Sequence, residues 1–135
     1  MSISGECFCG GVKYEVQGAL SDARSCHCSR CRKVFGGAAS AYAEVEAGKF
    51  SWVAGQEKLT IYESAPGWGL YFCGVCGSTL GGVHEGQVHG VALGSVNGDP
   101  GVTLQRHIFV GSKAPWDEIG GDTPQYDEAP PKGIQ

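Results

Sequence analysis

The sequence lacks any long apolar run, and no stretch approaches the roughly 20 residues that a membrane-spanning helix requires. It also lacks a recognisable targeting segment, so we expect a cytoplasmic protein. It has no internal repeat of fixed period. Its 135 residues predict one domain over residues 1–119, followed by a tail rich in proline and glycine over residues 120–135. Long helices are not expected either, because 23 glycines and 6 prolines favour turns.

The chain has few charged residues, and its net charge is slightly negative. Charged residues make up 18% of the chain, and the formal net charge is −4. Nucleic-acid binding is therefore not expected, because phosphate backbones attract basic surfaces. The local exception is a group of cations, His27, Arg30, Arg32 and Lys33. These residues could offset the charge of nearby thiolates or attract an anionic substrate, and one electric field can do both.

Cysteine occurs only in three clusters: Cys7 with Cys9, then Cys26 with Cys28 and Cys31, then Cys73 with Cys76. This grouping indicates metal binding. Disulfides are disfavoured because seven is an odd number and Cys-x-Cys pairs are poorly placed to bridge each other. Iron–sulfur binding is a further possibility, but these spacings do not match the usual cluster motifs.

The first and last clusters together supply four thiolates. Residues i and i+2 of a strand face the same side, so a strand through Cys7 and Cys9 would present both sulfurs to one ion. Cys73 and Cys76 have the two-residue gap of a zinc knuckle, and the glycine after each one permits a tight turn. Four thiolates predict a closed, structural zinc site.

The middle cluster offers three thiolates within six residues. Because zinc prefers four ligands, three thiolates favour a catalytic zinc with a fourth position open to water or substrate. A closed site is an alternative, with the fourth ligand from His84, His89 or His107. A second alternative is a redox or formaldehyde sensor, in which oxidation of the cluster releases its zinc.

Hydrophobic alternation predicts short strands. Residues 12–16 alternate apolar with polar side chains, as a half-buried strand does. Further strands are expected at residues 38–46, 50–52, 59–62, 70–72, 88–96 and 106–110. We expect lead-in segments at residues 1–5 and 19–25, a basic loop or single helical turn at 32–37, and a loop at 65–69. From residue 111 the chain is expected to lie extended over the domain, anchored by Trp116, Ile119 and Tyr126.

Several stretches carry a family resemblance: residues 5–14 (GECFCGGVKY), 26–33 (CHCSRCRK), 72–80 (FCGVCGSTL), 107–110 (HIFV) and 113–116 (KAPW). In these the chain resembles the glutathione-dependent formaldehyde-activating family, which also includes centromere-protein-V-like domains. The resemblance implies an all-β zinc-binding domain of the β-tent type, with small antiparallel sheets and a long irregular C-terminal tail. It also implies two zinc ions per chain, one structural and one catalytic; their ligands would be Cys7, Cys9, Cys73 and Cys76 for the first, and Cys26, Cys28 and Cys31 for the second.

The resemblance further implies a carbon–sulfur lyase-type enzyme that combines glutathione and formaldehyde to S-(hydroxymethyl)glutathione. We assign His27 and Arg30 to catalysis, because His27 is the nearest titratable candidate for proton transfer. We assign Arg32, Lys33 and Trp68 to substrate binding: the cations could hold a glutathione carboxylate, and Trp68 could cover the site from a loop. The alternative is a non-catalytic zinc module for partner binding, as the centromere-type relatives suggest. The sequence does not predict an oligomeric state.

Overall fold

Short strands dominate the computed structural model, which describes residues 2–129. Strands account for 42% of the described residues and helices for 12%, so the predicted all-β class is confirmed. Residues 130–135, the end of the predicted tail, lie outside the described residues. None of the described helices has the length and hydrophobicity of a membrane span.

The elements are short, as the glycine content predicts. The described strands are β1 (Ser2–Glu6), β2 (Lys13–Gln17), β3 (Ser21–Cys26), β4 (Tyr42–Glu44), β5 (Phe50–Ala54), β6 (Leu59–Ala65), β7 (Trp68–Cys73), β8 (Thr79–His84), β9 (Gln87–Ala92) and β10 (Arg106–Ile108). The described α-helix is α1 (Ser29–Phe35), and 3₁₀ helices occur at Gln56–Lys58, Leu93–Ser95 and Val110–Ser112.

The described chain forms two compact units. The first unit comprises residues 2–21 and 43–102, and the second comprises residues 22–42 and 103–129. The first and last cysteine clusters belong to the first unit, whereas the middle cluster belongs to the second. Each candidate metal centre therefore lies within one unit.

The first unit contains two antiparallel arrangements. Strands β1, β2 and β5 form one sheet, and strands β9, β8, β7 and β6 pair in that order. The alternation predicted for β2 is confirmed, because Tyr14 and Val16 are buried. Each fully buried side chain of this size contributes roughly 1.5–3 kcal/mol relative to an exposed one. These side chains lie among the other buried apolar residues of the unit, including Ile3, Val12, Leu80 and Val91.

Two sequence-based expectations for the first unit are wrong. The expected lead-in forms β1, which pairs with β2 from Ser2↔Gln17 to Glu6↔Lys13. Its serines and glycine carry little strand signal by themselves, so pairing with β2 decides its conformation. The expected loop at residues 65–69 reduces to a hairpin turn, because Ala65 already pairs with Trp68. Gly67 makes this turn with φ +79°, a conformation that glycine adopts readily.

The second unit is built on a parallel pair of strands. β3 and β10 pair from Arg106↔Arg24 to Ile108↔Cys26, and α1 follows β3. The expected lead-in at residues 19–25 is therefore largely strand. Of the two alternatives for residues 32–37, the helical one agrees with the structure, in which residues 32–35 belong to a seven-residue helix. The buried residues of this unit are small or polar: Ala23, Ser25, His27, Ser40, Arg106 and Ala114. In a unit with so small a core, a bound metal ion would add to the stability.

The described part of the tail belongs to the second unit and is an irregular segment that lies against β10. The amide of Tyr126 donates to the carbonyl of His107 (2.9 Å), and the amide of Val110 donates to the carbonyl of Tyr126 (3.0 Å). Trp116 is not the anchor that we expected, because it is 68% exposed, whereas Ala114 is fully buried. Backbone hydrogen bonds, more than large side chains, hold this segment in place.

Candidate metal centres

The four-thiol centre of the first unit comprises Cys7, Cys9, Cys73 and Cys76, whose sulfurs all lie within 4.8 Å of one another. The sulfur of Cys9 is 3.5 Å from that of Cys7 and 4.0 Å from that of Cys73. Cys7 and Cys9 occupy a turn after β1 rather than the strand that the sequence suggested. The turn nevertheless brings both sulfurs to one point, so the ligand prediction does not depend on strand geometry.

Neighbouring groups form hydrogen bonds with the cysteine sulfurs of this centre. The amide of Val12 donates to the sulfur of Cys7 (3.3 Å), and the amide of Cys76 donates to the sulfur of Cys73 (3.5 Å). The Ser78 hydroxyl lies 3.1 Å from the sulfur of Cys76 and also accepts from the amide of Phe8. The Ser78 hydrogen bond lowers the pKa of the Cys76 thiol to about 5, because it stabilises the thiolate.

The three-thiol centre of the second unit comprises Cys26, Cys28 and Cys31, also within 4.8 Å of one another. Cys26 ends β3, Cys28 is the N-cap of α1, and Cys31 lies in its first turn. The helix ends at Gly36 in the left-handed region, and Arg32 and Lys33 lie in its last turn. Local helical geometry thus folds the CHCSRC stretch into a compact set of three thiols.

The thiols of this centre interact with one another. The hydrogen bond between Cys26 and Cys31 lowers the pKa of the Cys31 thiol to about 6, and the same interaction raises the pKa of the Cys26 thiol. The Ser40 hydroxyl and the positive charge of Arg30 lower the pKa of Cys31 further. Cysteine binds metal as the thiolate, and the lowered pKa of Cys31 favours that form.

Ser40 is a supporting residue that sequence reasoning missed. Its hydroxyl accepts a hydrogen bond from the amide of Cys26 (3.1 Å), and its own amide donates to the carbonyl of Cys26 (3.0 Å). Ser40 is buried, and it lies nine residues after the last thiol of the cluster. No sequence motif marks it, because its role depends on the return of the chain towards β3.

His27 is buried and paired with another histidine. Its Nε2 lies 2.9 Å from Nδ1 of His107 and 3.4 Å from the Ser25 hydroxyl. Its Nδ1 is buried without a hydrogen-bond partner among the described residues. Burial lowers the pKa of His27, and the neighbouring charge of His107 lowers it further. Within this unit neither histidine joins the three-thiol group.

The predicted anion-binding cations lie on α1. Arg30 and Lys33 are exposed, and Arg32 donates from Nη2 to the carbonyl of Ser112 (3.3 Å). The helix contains no acidic residue in its first turn. These residues therefore give the three-thiol unit a positive surface next to its cysteines, although the net charge of the chain is negative.

Trp68 lies in the first unit, at the start of β7. Its ring stacks on His84 with 3.8 Å between ring centroids and contacts the edge of His89 at 5.6 Å. It is 48% exposed. Trp68 is therefore a strand residue packed on two histidines rather than a residue of the loop that we expected, and its predicted part in substrate binding stays a prediction.

Both thiol groups have the chemistry and spacing that zinc requires. Zinc–sulfur bonds of about 2.3 Å in a tetrahedral arrangement place two sulfurs about 3.8 Å apart. The sulfur–sulfur separations of 3.5 and 4.0 Å in the first unit lie on either side of this value. The structure contains no disulfide among its seven cysteines, all of which lie within the described residues. Both groups are thus able to hold a metal ion and are compatible with zinc.

The chain also matches a known protein family. Residues 2–112 match the sequence model of the family described as "Glutathione-dependent formaldehyde-activating enzyme". This chain belongs to that family.

A solved structure supports the same assignment. The crystal structure of a Rhodobacter sphaeroides protein is 32% identical to this chain and superposes with a TM-score of 0.56. The match covers 71% of this chain and 89% of that protein. Among curated proteins, none is similar enough to add to the comparison. The family resemblance of the cysteine stretches is confirmed, and the family match extends across β1–β10.

Proposed function

We propose that this protein is a zinc-dependent enzyme of the carbon–sulfur lyase type that acts on a small thiol adduct. The reaction that fits the family best is formation of S-(hydroxymethyl)glutathione from glutathione and formaldehyde. The observation that carries this proposal is the three-thiol group of the second unit, which neither histidine of that unit joins. Three protein ligands are the number found in catalytic zinc sites.

The proposal assigns different tasks to the two centres. Cys7, Cys9, Cys73 and Cys76 would hold a structural zinc, whereas Cys26, Cys28 and Cys31 would hold a catalytic zinc. A zinc ion held by the second set would supply a Lewis acid that lowers the pKa of a thiol substrate. The Ser40 hydroxyl fixes the backbone of Cys26, and the cap of α1 fixes Cys28 relative to Cys31.

The reaction is an addition in which every atom is kept. A bond forms between the glutathione sulfur and the formaldehyde carbon, and the thiol proton is transferred to the carbonyl oxygen. The task of the protein is to hold both reactants close together, which by itself can supply much of the rate enhancement. Arg30, Arg32 and Lys33 provide cations for the two glutathione carboxylates.

His27 and Arg30 stay predicted catalytic residues. Arg30 acts through its charge, which favours the thiolate of Cys31. Because burial lowers the pKa of His27, its ring is neutral near pH 7, and its Nε2 already shares a hydrogen bond with His107. A cytoplasmic location is part of the same proposal, since seven free thiols suit a reducing compartment.

Cobalt substitution tests the proposal directly. We expect two metals per chain, and we expect glutathione to change the visible absorption of the cobalt in the second unit. Cys28→Ser should abolish the glutathione-sensitive part of the spectrum. S-methylglutathione is the matched control ligand, because it keeps both carboxylates but has no free thiol. A spectrum that no thiol changes would contradict a catalytic site with an exchangeable ligand.

A non-catalytic zinc module that binds a partner is the second candidate. It is favoured by two exposed apolar side chains within the cysteine stretches of the first unit, Phe8 (93% exposed) and Val75 (69% exposed). This candidate predicts two metals and no spectral response to glutathione. It also predicts that no S-(hydroxymethyl)glutathione forms above the uncatalysed rate when the protein is added.

A further inference from the structure

The first unit contains a pocket of about 300 Å³ that the proposed thiol chemistry does not use. Phe50 and Trp52 of β5 and Tyr71 of β7 line it, together with Gln56, Gln87 and Val88. This volume lies at the lower end of the range for small-molecule sites, roughly 300–1,000 Å³. The pocket therefore has room for one small ring system.

Aromatic rings form a fixed wall of this pocket. The rings of Phe50 and Trp52 meet edge to face, with centroids 4.7 Å apart, and those of Trp52 and Tyr71 meet in the same way at 5.1 Å. Tyr14, which is fully buried, stacks on Phe50 at 5.2 Å. Tyr14 is buried, β5 pairs with β2, and β7 pairs with β6 and β8, so the aromatic surface exists before any ligand arrives.

Unpaired polar groups accompany the rings. Neither the indole N–H of Trp52 nor the hydroxyl of Tyr71 makes a hydrogen bond within the described part of the chain. The side-chain amides of Gln56 and Gln87, both exposed at the pocket, likewise have no hydrogen-bond partner among the described residues. These groups include both donors and acceptors, and buried polar groups of ligands need such partners.

No charged residue lines the pocket. A phosphate or a carboxylate would find no cation there, and an ammonium group would find no carboxylate. The lining thus favours an uncharged ligand that has an aromatic face and a hydrogen-bonding edge.

We propose that this pocket binds a neutral heteroaromatic ring, of the kind found in a nucleobase or nucleoside. The ring would lie against the aromatic wall, and the glutamine amides would contact its polar edge. Stacking of a base on an aromatic side chain is favourable for every base, because each has a π-face. Nucleotides and nucleic acids do not fit, because the lining is uncharged and the chain is net acidic.

The test uses the zinc-loaded full chain with Trp52 as the only tryptophan. The sequence has three tryptophans, so Trp68→Phe and Trp116→Phe leave Trp52 as the reporter. Titration with adenosine, guanosine, cytidine and uridine should quench its emission, corrected for nucleoside absorption. We expect saturation by at least one nucleoside with a Kd of about 1 mM or tighter.

Variants of the glutamines decide whether the pocket is the site. Gln56→Leu and Gln87→Leu should each weaken binding about three- to tenfold, because each removes hydrogen bonds but keeps the side-chain size. Gln105→Leu, at an exposed position in the second unit, is the matched control and should leave Kd unchanged. Zinc content and far-ultraviolet circular dichroism report whether each variant folds.

Three results would overturn the proposal. The first is the absence of saturable quenching by all four nucleosides. The second is unchanged affinity in both glutamine variants. The third is tighter binding of a nucleoside monophosphate than of its nucleoside, since an uncharged lining gives phosphate no partner. None of these results bears on the thiol-binding centre, so this proposal and the proposed enzymatic function fail independently.

Discussion

The amide of Cys31 donates a hydrogen bond to the sulfur of Cys28, which lies 3.3 Å away. Through this bond Cys28 is both the N-cap of α1 and one of the three candidate ligands of the second unit. Metal binding and helix formation are therefore coupled in one side chain. Because Cys28 has both roles, its replacement by serine and its replacement by alanine should have different effects.

Cys28→Ser should lose the metal of the second unit but keep the helix cap, because serine is a good N-cap residue. Cys28→Ala should lose both, at an additional cost of about 1 kcal/mol in the free energy of unfolding. Metal stoichiometry and chemical denaturation measure the two effects. Cys9→Ser is the matched control, since it should remove the metal of the first unit instead. Retention of both metals in Cys28→Ser would contradict the assignment of this ligand.

Ser78→Ala should weaken metal binding in the first unit about tenfold, because groups that hydrogen-bond to metal ligands tune affinity by roughly 10–100-fold. The Ser78 hydroxyl keeps the pKa of Cys76 at about 5, so its removal raises that pKa. Protons then compete with the metal at higher pH, and the midpoint of acid-induced zinc release should rise. A chelator competition series across pH measures this shift. Ser51→Ala, at an exposed site in β5, should behave as the parent chain does.

Asp22→Asn should destabilise the protein by about 3–5 kcal/mol, because it leaves the charge of Arg106 buried without its counter-ion. Asp22 accepts hydrogen bonds from Arg106 and from Arg24, and Arg106 is only 4% exposed. Asn suits the test because, like Asp, it tolerates the positive φ of this position, +50°. Urea denaturation of the zinc-loaded protein is the measurement. Asp122→Asn, which is exposed, is the control, and equal midpoints for the two variants would contradict the buried pair.

Gly5→Ala should destabilise the first unit by about 1–3 kcal/mol, the usual cost of overpacking a core. A Cβ at Gly5 would overlap the ring of Tyr14, its partner across β1 and β2. Tyr14 cannot move away easily, because its hydroxyl is 2.7 Å from that of Ser95. Thermal unfolding measures the effect. Gly94→Ala is the control and should be nearly neutral, since its Cβ would meet nothing within 4 Å. An equal loss of stability in Gly94→Ala would contradict the predicted overlap at Gly5.

Much of the fold was predictable from particular residues. The alternation at residues 12–16 predicted β2, and the aromatic residues Phe50 and Trp52 predicted β5. β8 was not predicted, because the two glycines in its sequence, TLGGVH, favour turns. β1 and β3 were also missed, because their sequences, SISGE and SDARSC, contain few residues with strong strand preference. Their conformation comes from pairing with β2 and β10, and pairing partners distant in sequence leave no local pattern.

The sequence by itself determined the two thiol groups. Ligand type and short-range spacing are sufficient for this, because Cys26, Cys28 and Cys31 fall within six residues and the other four thiols within two short motifs. Only the tertiary structure decided what surrounds them. His27 lies beside His107, which is 80 residues away in the sequence. Ser40 accepts a hydrogen bond from the amide of Cys26, which is 14 residues away. The aromatic pocket likewise requires β5 and β7 to lie in one unit, because side chains far apart in sequence meet only when strand pairing and burial bring them together.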